Sequence, residues 1–164
     1  SAMYRSNINN GISSVTTTFS LAGRNTTVYP IPYTVYNDYD SYGHVLNLTE
    51  GEIEKTYLWS YKGQYPVAEI QNATYAAVKS ALGSLTPTTL SNTALPDMSH
   101  LRSLLVALPD AHVTVYEYKI GVGISKRTHP NGENSTYEYD GLSRLKAERD
   151  HNGETVSSYE YHYK

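Results

Sequence analysis

The alternation of apolar and polar positions is clearest at the C-terminal end. Tyr116-Glu117-Tyr118, Tyr137-Glu138-Tyr139 and Tyr159-Glu160-Tyr161 each place two rings two positions apart. In an extended strand that spacing puts both rings on one face and the carboxylate on the other. Val113 and Val115 have the opposite phase to Tyr116 and Tyr118, so that strand is expected to be covered on both faces. Pro130-Asn131-Gly132 and Asp150-His151-Asn152-Gly153 separate these runs. Asn-Gly is a strong hairpin signal, because a type I′ turn needs φ > 0 at both central residues. The pattern therefore predicts antiparallel strands joined by hairpins at Asn131-Gly132 and Asn152-Gly153, with a last strand over Thr155–Tyr163.

Between residues 62 and 110 the period lengthens. Tyr75, Val78 and Leu82 recur at helical spacing in an Ala-rich run between Asn72, a candidate cap, and Gly83. Met98, Leu101, Leu104, Leu105 and Leu108 form a second stripe, opened by Pro96-Asp97 and closed by Pro109. Helices are expected at 73–82 and 97–108, with the four leucines of the second buried. Leu85 to Asn92 reads as a loop, and Pro66 to Ile70 as a short strand or extended piece. The fold class expected is mainly β, antiparallel hairpin repeats with a two-helix insertion.

Toward the N-terminus, Val15–Phe19 and Thr26–Tyr29 are strand candidates, rich in β-branched residues and punctuated by Gly11, Gly23 and Pro30-Ile31-Pro32. Residues 33–61 read as Tyr33–Tyr39, Gly43–Leu48, a turn near Thr49-Glu50-Gly51, and a return over Thr56–Tyr61. Four stretches follow: 1–3, where Ser1-Ala2-Met3 reads as a tag remnant before an internal start; 4–61, N-terminal strands and a first repeat; 62–110, the helical insertion; and 111–164, two further repeats.

The repetition can be counted. Tyr118 to Gly132 and Tyr139 to Gly153 are both 14 positions, and Tyr39-Asp40-Ser41-Tyr42-Gly43 begins an earlier copy that closes at Tyr57-Leu58-Trp59. Self-similarity of this length indicates units that complete their core against their neighbours. The residues resemble the YD-repeat, or Rhs (rearrangement hotspot), family, whose unit runs Tyr-Asp-x-x-Gly-Arg-Leu, then Asp-x-x-Gly, then Tyr-x-Tyr. Tyr137, Tyr139, Asp140, Arg144, Leu145, Asp150, Gly153, Tyr159 and Tyr161 fit that unit, and Tyr39, Asp40 and Gly43 fit its front half. Ser143 stands in place of Gly, and His44 and Gly123 in place of Arg. The stretch from Tyr57 to Pro66 also resembles the C-terminal region of Bacteroidetes-type members. The resemblance implies a piece of a large secreted or cell-surface protein whose repeats coil into a β-shell, in some members around a toxin domain. It implies a scaffold without catalysis or cofactor of its own, with neighbouring repeats as partners.

Composition changes this picture little. Hydrophobic residues make up 39% of 164, and Tyr supplies 17 positions against one Phe and one Trp. A ring with a polar tip suits half-wet layers. A net charge of −3 argues against nucleic acid as partner, and without cysteine there is no disulfide framework. No apolar run reaches the roughly 18 to 20 residues that a membrane span needs.

Candidate chemistry is sparse. Glu50, Glu52 and Glu54 alternate, as do Asp38 and Asp40, but no EF-hand loop is present and solvated strand faces explain them. Histidines 44, 100, 112, 129, 151 and 162 show no metal-ligand spacing, and His129 and His151 flank turns. No nucleophile elbow or phosphate loop is present. No catalytic, cofactor or metal residue is therefore nominated. The tyrosine ladder has two readings, a packed seam between hairpins or a stacking platform for carbohydrate. A bare edge after Tyr161 would also favour self-association through sheet edges.

Overall fold

The computed structural model describes residues 17–21, 24–28 and 34–162. Strands β1 (Thr17–Leu21) and β2 (Arg24–Val28) pair with each other antiparallel. Gly11, the Pro30–Pro32 turn, Tyr163 and the tag remnant lie outside the described residues. The remaining strands are β3 (Thr34–Tyr39), β4 (Val45–Glu50), β5 (Ile53–Ser60), β6 (Tyr65–Gln71), β7 (His112–Lys119), β8 (Gly123–Thr128), β9 (Asn134–Tyr139), β10 (Leu145–Arg149) and β11 (Thr155–Ser158). They form one nine-stranded antiparallel meander in chain order, β3 to β11. The mainly-β class expected from the alternation is the class observed.

The helices occupy the connection between β6 and β7: α1 (Tyr75–Leu82), α2 (Pro87–Ser91) and α3 (Met98–Ala107). There are three, not two. The stretch read as loop contains α2, because Thr86 caps it by accepting from Thr89 N at 3.1 Å, Pro87 sits in the first turn, and Leu90 is buried. Asn72 does not cap α1. It sits at φ 65, and Thr74 caps instead, accepting from Ala77 N. Gly83 closes α1 at φ 64. Asp97 caps α3 through Ser99 N and His100 N. Leu101 and Leu104 are fully buried and Leu108 is 9% exposed, but Leu105 is only half-buried, because it lies at the margin of the stripe.

The helices cover one face of the sheet. Leu58 on β5 pairs with Ala68 on β6, which pairs with Val115 on β7; Ile70 pairs with Val113. These residues are 0–1% exposed and form one cluster with Val78, Leu82, Leu90, Leu101 and Leu104. Val113 and Val115 are buried under the helices, but the coverage expected on both faces of β7 is found on this face only. Tyr57, Glu69, Thr114 and Tyr116 alternate with them and lie on the other, uncovered face.

Three strand-end expectations need correction. Neither Asn131 nor Asn152 has positive φ; only Gly132 (φ 83) and Gly153 (φ 84) do. Gly132 N reaches the His129 carbonyl and His129 N the Glu133 carbonyl, with the same pair at Asp150–Glu154. This is a type I turn closed by one left-handed residue, not type I′. Next, β11 ends at Ser158, so Tyr159 and Tyr161 lie beyond it, although Tyr159 N still bonds the Lys146 carbonyl. Finally, the helical insertion does not fill residues 62–110. β6 is a full strand inside them, and the helices stand where a hairpin turn would be.

Candidate functional site

The structure gives the repeat-defining residues a physical role, beginning with the aspartates. Asp40 Oδ1 accepts from Tyr42 N and His44 N, both at 2.9 Å. Asp140 Oδ1 accepts from Leu142 N and Arg144 N at 2.8 and 3.0 Å, and Asp150 Oδ1 from Asn152 N and Glu154 N at 2.9 Å each. The carboxylate thus takes two donors that the turn leaves without partners. The residue three places on sits at positive φ: Gly43 at 86, Ser143 at 62, Gly153 at 84. That is why the pattern asks for glycine there, and Ser143 holds the same geometry at some strain.

The residue that opens the next strand, or stands just before it, then meets an aromatic ring. Three steps beyond Asn47↔Thr56, His44 faces Trp59. Three steps beyond Ala68↔Val115, Tyr65 faces Tyr118; beyond Lys126↔Thr136, Gly123 faces Tyr139; beyond Ala147↔Ser158, Arg144 faces Tyr161. His44 and Trp59 stack at 4.1 Å, Tyr65 and Tyr118 at 4.6 Å, and the Arg144 guanidinium lies 4.1 Å over Tyr161. At Gly123 a Cβ would lie 2.5 Å from the Tyr139 hydroxyl, so only glycine leaves that ring its place.

Each ring also donates one hydrogen bond to the next carbonyl along. Trp59 Nε1 reaches Val45 O at 3.0 Å, and Tyr118, Tyr139 and Tyr161 reach Pro66 O, Ile124 O and Leu145 O at 2.8 Å each. One strap is built four times, behind the turns at Asp40–Gly43, Tyr61–Gln64, Lys119–Val122 and Asp140–Ser143, all at one end of the sheet. Tyr61 follows Asp40 by 21 positions, and Asp140 follows Lys119 by 21. His44 and Gly123, departures from the family pattern in sequence, are working members of the strap.

The turn at Tyr61–Gln64 is the unusual one. Tyr61, Lys62 and Gly63 all have positive φ, at 55, 59 and 76. Bonds from Lys62 N to Thr93 O and from Gly63 N to Ser91 O hold this strained run against the end of α2. Tyr42 covers Gly63 closely and bonds Asn92.

Electrostatics follow the same geometry. Burial pushes the Asp40 carboxyl up, but bonds from the His44 backbone and ring and from Tyr42 N outweigh it and leave the carboxyl below its usual range. The Arg144 side chain, then its backbone N–H, hold Asp140 low. Burial, then the neighbouring Tyr116, Tyr61 and Tyr65, push the Tyr118 phenol up to about 12.

The first ring of each pair does different work. By register, Tyr57 stands opposite Glu69, Tyr116 opposite Arg127 and Tyr137 opposite Glu148, all on the uncovered face. A shallow depression of about 360 Å³ opens there, lined by Glu69, Gln71, His112, Thr114, Tyr116, Arg127 and Pro130. Burial raises the pKa of all three phenols. Sequence reasoning passed over Arg127, which counting along the Tyr116 hairpin could have found.

The other nominated residues fall in place without a shared site. Tyr39 is 46% exposed at the end of β3, and Tyr159 is 45% exposed. Glu50 pairs with Lys55, while Glu54 accepts from Asn47 and from Tyr75 N. Among the described residues no group of three or more His, Cys, Asp or Glu is placed to hold a metal ion, and no helix is long and apolar enough to cross a membrane. No protein-family model matches the chain, and no curated protein matches it.

Proposed function

We propose that this chain is a structural repeat module of the YD-repeat (Rhs-like) kind, part of a secreted or cell-surface protein, with no catalysis or cofactor of its own. The observation that carries the reading is the strap. The same three parts, a strand-opening residue, an opposing ring and a carbonyl, occur four times at equivalent register. A catalytic centre needs convergence at one place, whereas repeated fastening along a sheet holds an extended surface in register. Neighbouring repeats are then the natural partners, added strand by strand at the sheet edge. Location follows from the family resemblance alone.

Modularity is the testable property. Repeat arrays gain stability from each added unit through nearest-neighbour contacts. Duplicating residues 119–139 should therefore give a folded chain with two more strands and a midpoint in urea no lower than that of the parent. A duplicated chain that is unfolded, or that carries the extra segment as unprotected backbone in hydrogen exchange, would remove the basis for a repeat scaffold.

A further inference from the structure

Two Asn-Gly pairs close turns of the same shape, Asn131-Gly132 between β8 and β9 and Asn152-Gly153 between β10 and β11, yet their side chains are held differently. In the second turn Asp150 Oδ1 accepts from Asn152 N and Glu154 N at 2.9 Å each. In the first, His129 stands at the aspartate position, and its ring lies 3.0 Å from Ser135 Oγ instead. Asn131 supplies the missing acceptor. Its Oδ1 accepts from Glu133 N at 3.0 Å, and its Nδ2 donates to Glu133 Oε2 at 2.8 Å. Asn152 is bonded through its backbone N–H, while its side-chain amide has no hydrogen bond among the described residues. Exposure does not separate the two asparagines, since both are exposed. Nor does the backbone: Gly132 N bonds the His129 carbonyl and Gly153 N the Asp150 carbonyl.

We infer that Asn152 is a site of spontaneous deamidation, and that the fold protects Asn131 from the same reaction. The step needs only water and hydroxide. Gly153 N attacks Cγ of Asn152, and the new C–N bond closes a cyclic succinimide. The Gly153 N–H proton passes through hydroxide and water to the side-chain nitrogen, which leaves as ammonia. Water then opens the ring at either carbonyl and gives aspartate or isoaspartate. Glycine in the following place has no Cβ to hinder the approach. Cγ of Asn152 must swing onto Gly153 N, and no side-chain bond restrains it. The same swing at Asn131 breaks both bonds to Glu133, one of them to a carboxylate. Isoaspartate lengthens the backbone by a methylene between Asn152 N and Gly153 N, both of which bond Asp150. The outermost hairpin, β10–β11, therefore loses its turn as the chain ages.

Peptide mapping by mass spectrometry tests it on the whole chain, aged in mildly alkaline buffer both folded and in urea. In the folded chain Asn152 should convert about tenfold or more faster than Asn131, because two hydrogen bonds must break before Asn131 can cyclise. In urea, where the turn bonds are gone, the two rates should converge. His129→Asp restores the aspartate acceptor and releases Asn131, so conversion at 131 should speed up while that at 152 stays as it was. No conversion at Asn152, equal rates in the folded chain, or a difference that persists undiminished in urea would each overturn the assignment. Should His129→Asp fail to fold, Glu133→Ala takes its place by removing the carboxylate that Asn131 Nδ2 bonds, and an unchanged rate at Asn131 in the folded variant would overturn it as well.

Discussion

Replacing Asp40 by alanine tests what the aspartate of each repeat does. The substitution removes the acceptor for Tyr42 N, His44 N and His44 Nδ1, the last at 3.1 Å. Bonds to a charged group are worth about 1.5 to 3 kcal/mol each when measured by removal. They do not add in full here. Tyr42 is exposed, so its N–H can turn to water, and deleting the carboxylate relieves its burial. The side chain of Asp40 is 0% exposed against 22% for Asp140. The expected loss is thus about 2 to 3 kcal/mol for Asp40→Ala, and a smaller one for Asp140→Ala despite the same pair of backbone bonds.

Urea unfolding of both variants beside the parent chain measures the difference. The sign with pH is fixed as well. The folded pKa of Asp40 is depressed, so its contribution is complete above the unfolded value of about 3.9 and is lost as pH falls through the folded value. The gap between the parent and Asp40→Ala should therefore narrow in acid. If Asp140→Ala costs as much as Asp40→Ala, burial does not set the value of the bond. If the gap stays constant down to the acid limit, the carboxylate is not what the turn relies on.

Three further outcomes are expected. Leu104→Ala should cost roughly 2 to 5 kcal/mol and Leu105→Ala about 1 kcal/mol, since only the first is fully buried; equal losses in urea would show that α3 faces the sheet differently. Gly123→Ala should displace the Tyr139 hydroxyl from Ile124 O, so Tyr139→Phe should cost clearly less in the Gly123→Ala background than alone, and additive free energies would show that the ring tolerates the methyl. Sheet-edge pairing should raise the light-scattering mass above 18.3 kDa with concentration, and Val156→Lys on the exposed edge strand should lower it again; a mass fixed at the monomer value at all concentrations refutes the pairing.

Much of the meander was legible because alternation with period two is a strong signal. It located β7 and β9 and set Val113 and Val115 on one face, although the coverage it suggested for both faces of β7 is found on one only. The hairpin turns were placed correctly but typed wrongly. Asn-Gly suggested type I′, yet the residue that decides is the aspartate or histidine three places before the glycine, which closes a longer loop through its own backbone. α2 was missed because five residues are too few to show helical periodicity, although Thr86-Pro87 is a start signal. The helical segment looked like a break in the repeat because 58 positions separate Tyr61 from Lys119 where 21 separate the other units. The stacking of Tyr65 on Tyr118 and the bond from Tyr118 to Pro66 O keep the strap of this unit, with the helices in place of its outer turn.

The least legible feature was the division of labour within each aromatic pair. Period two says that Tyr137 and Tyr139 share a face, and treats them as equivalent. Register separates them. Tyr139 falls opposite the opening residue of the neighbouring strand, where the carbonyl of Ile124 is in reach, while Tyr137 falls opposite Glu148 in mid-strand. The same holds for Trp59 against Tyr57 and for Tyr118 against Tyr116. A ring at the strand opening is fixed by a stacking partner and a hydrogen bond, so substituting it costs stability. A mid-strand ring is held by its neighbours on one open face, and its partner alternates in charge: Glu69, Arg127, Glu148. Fastening therefore constrains the second position of the pair to an aromatic donor, which is why tryptophan can stand there at position 59. The first position is left to vary in what it presents with its cross-strand charge.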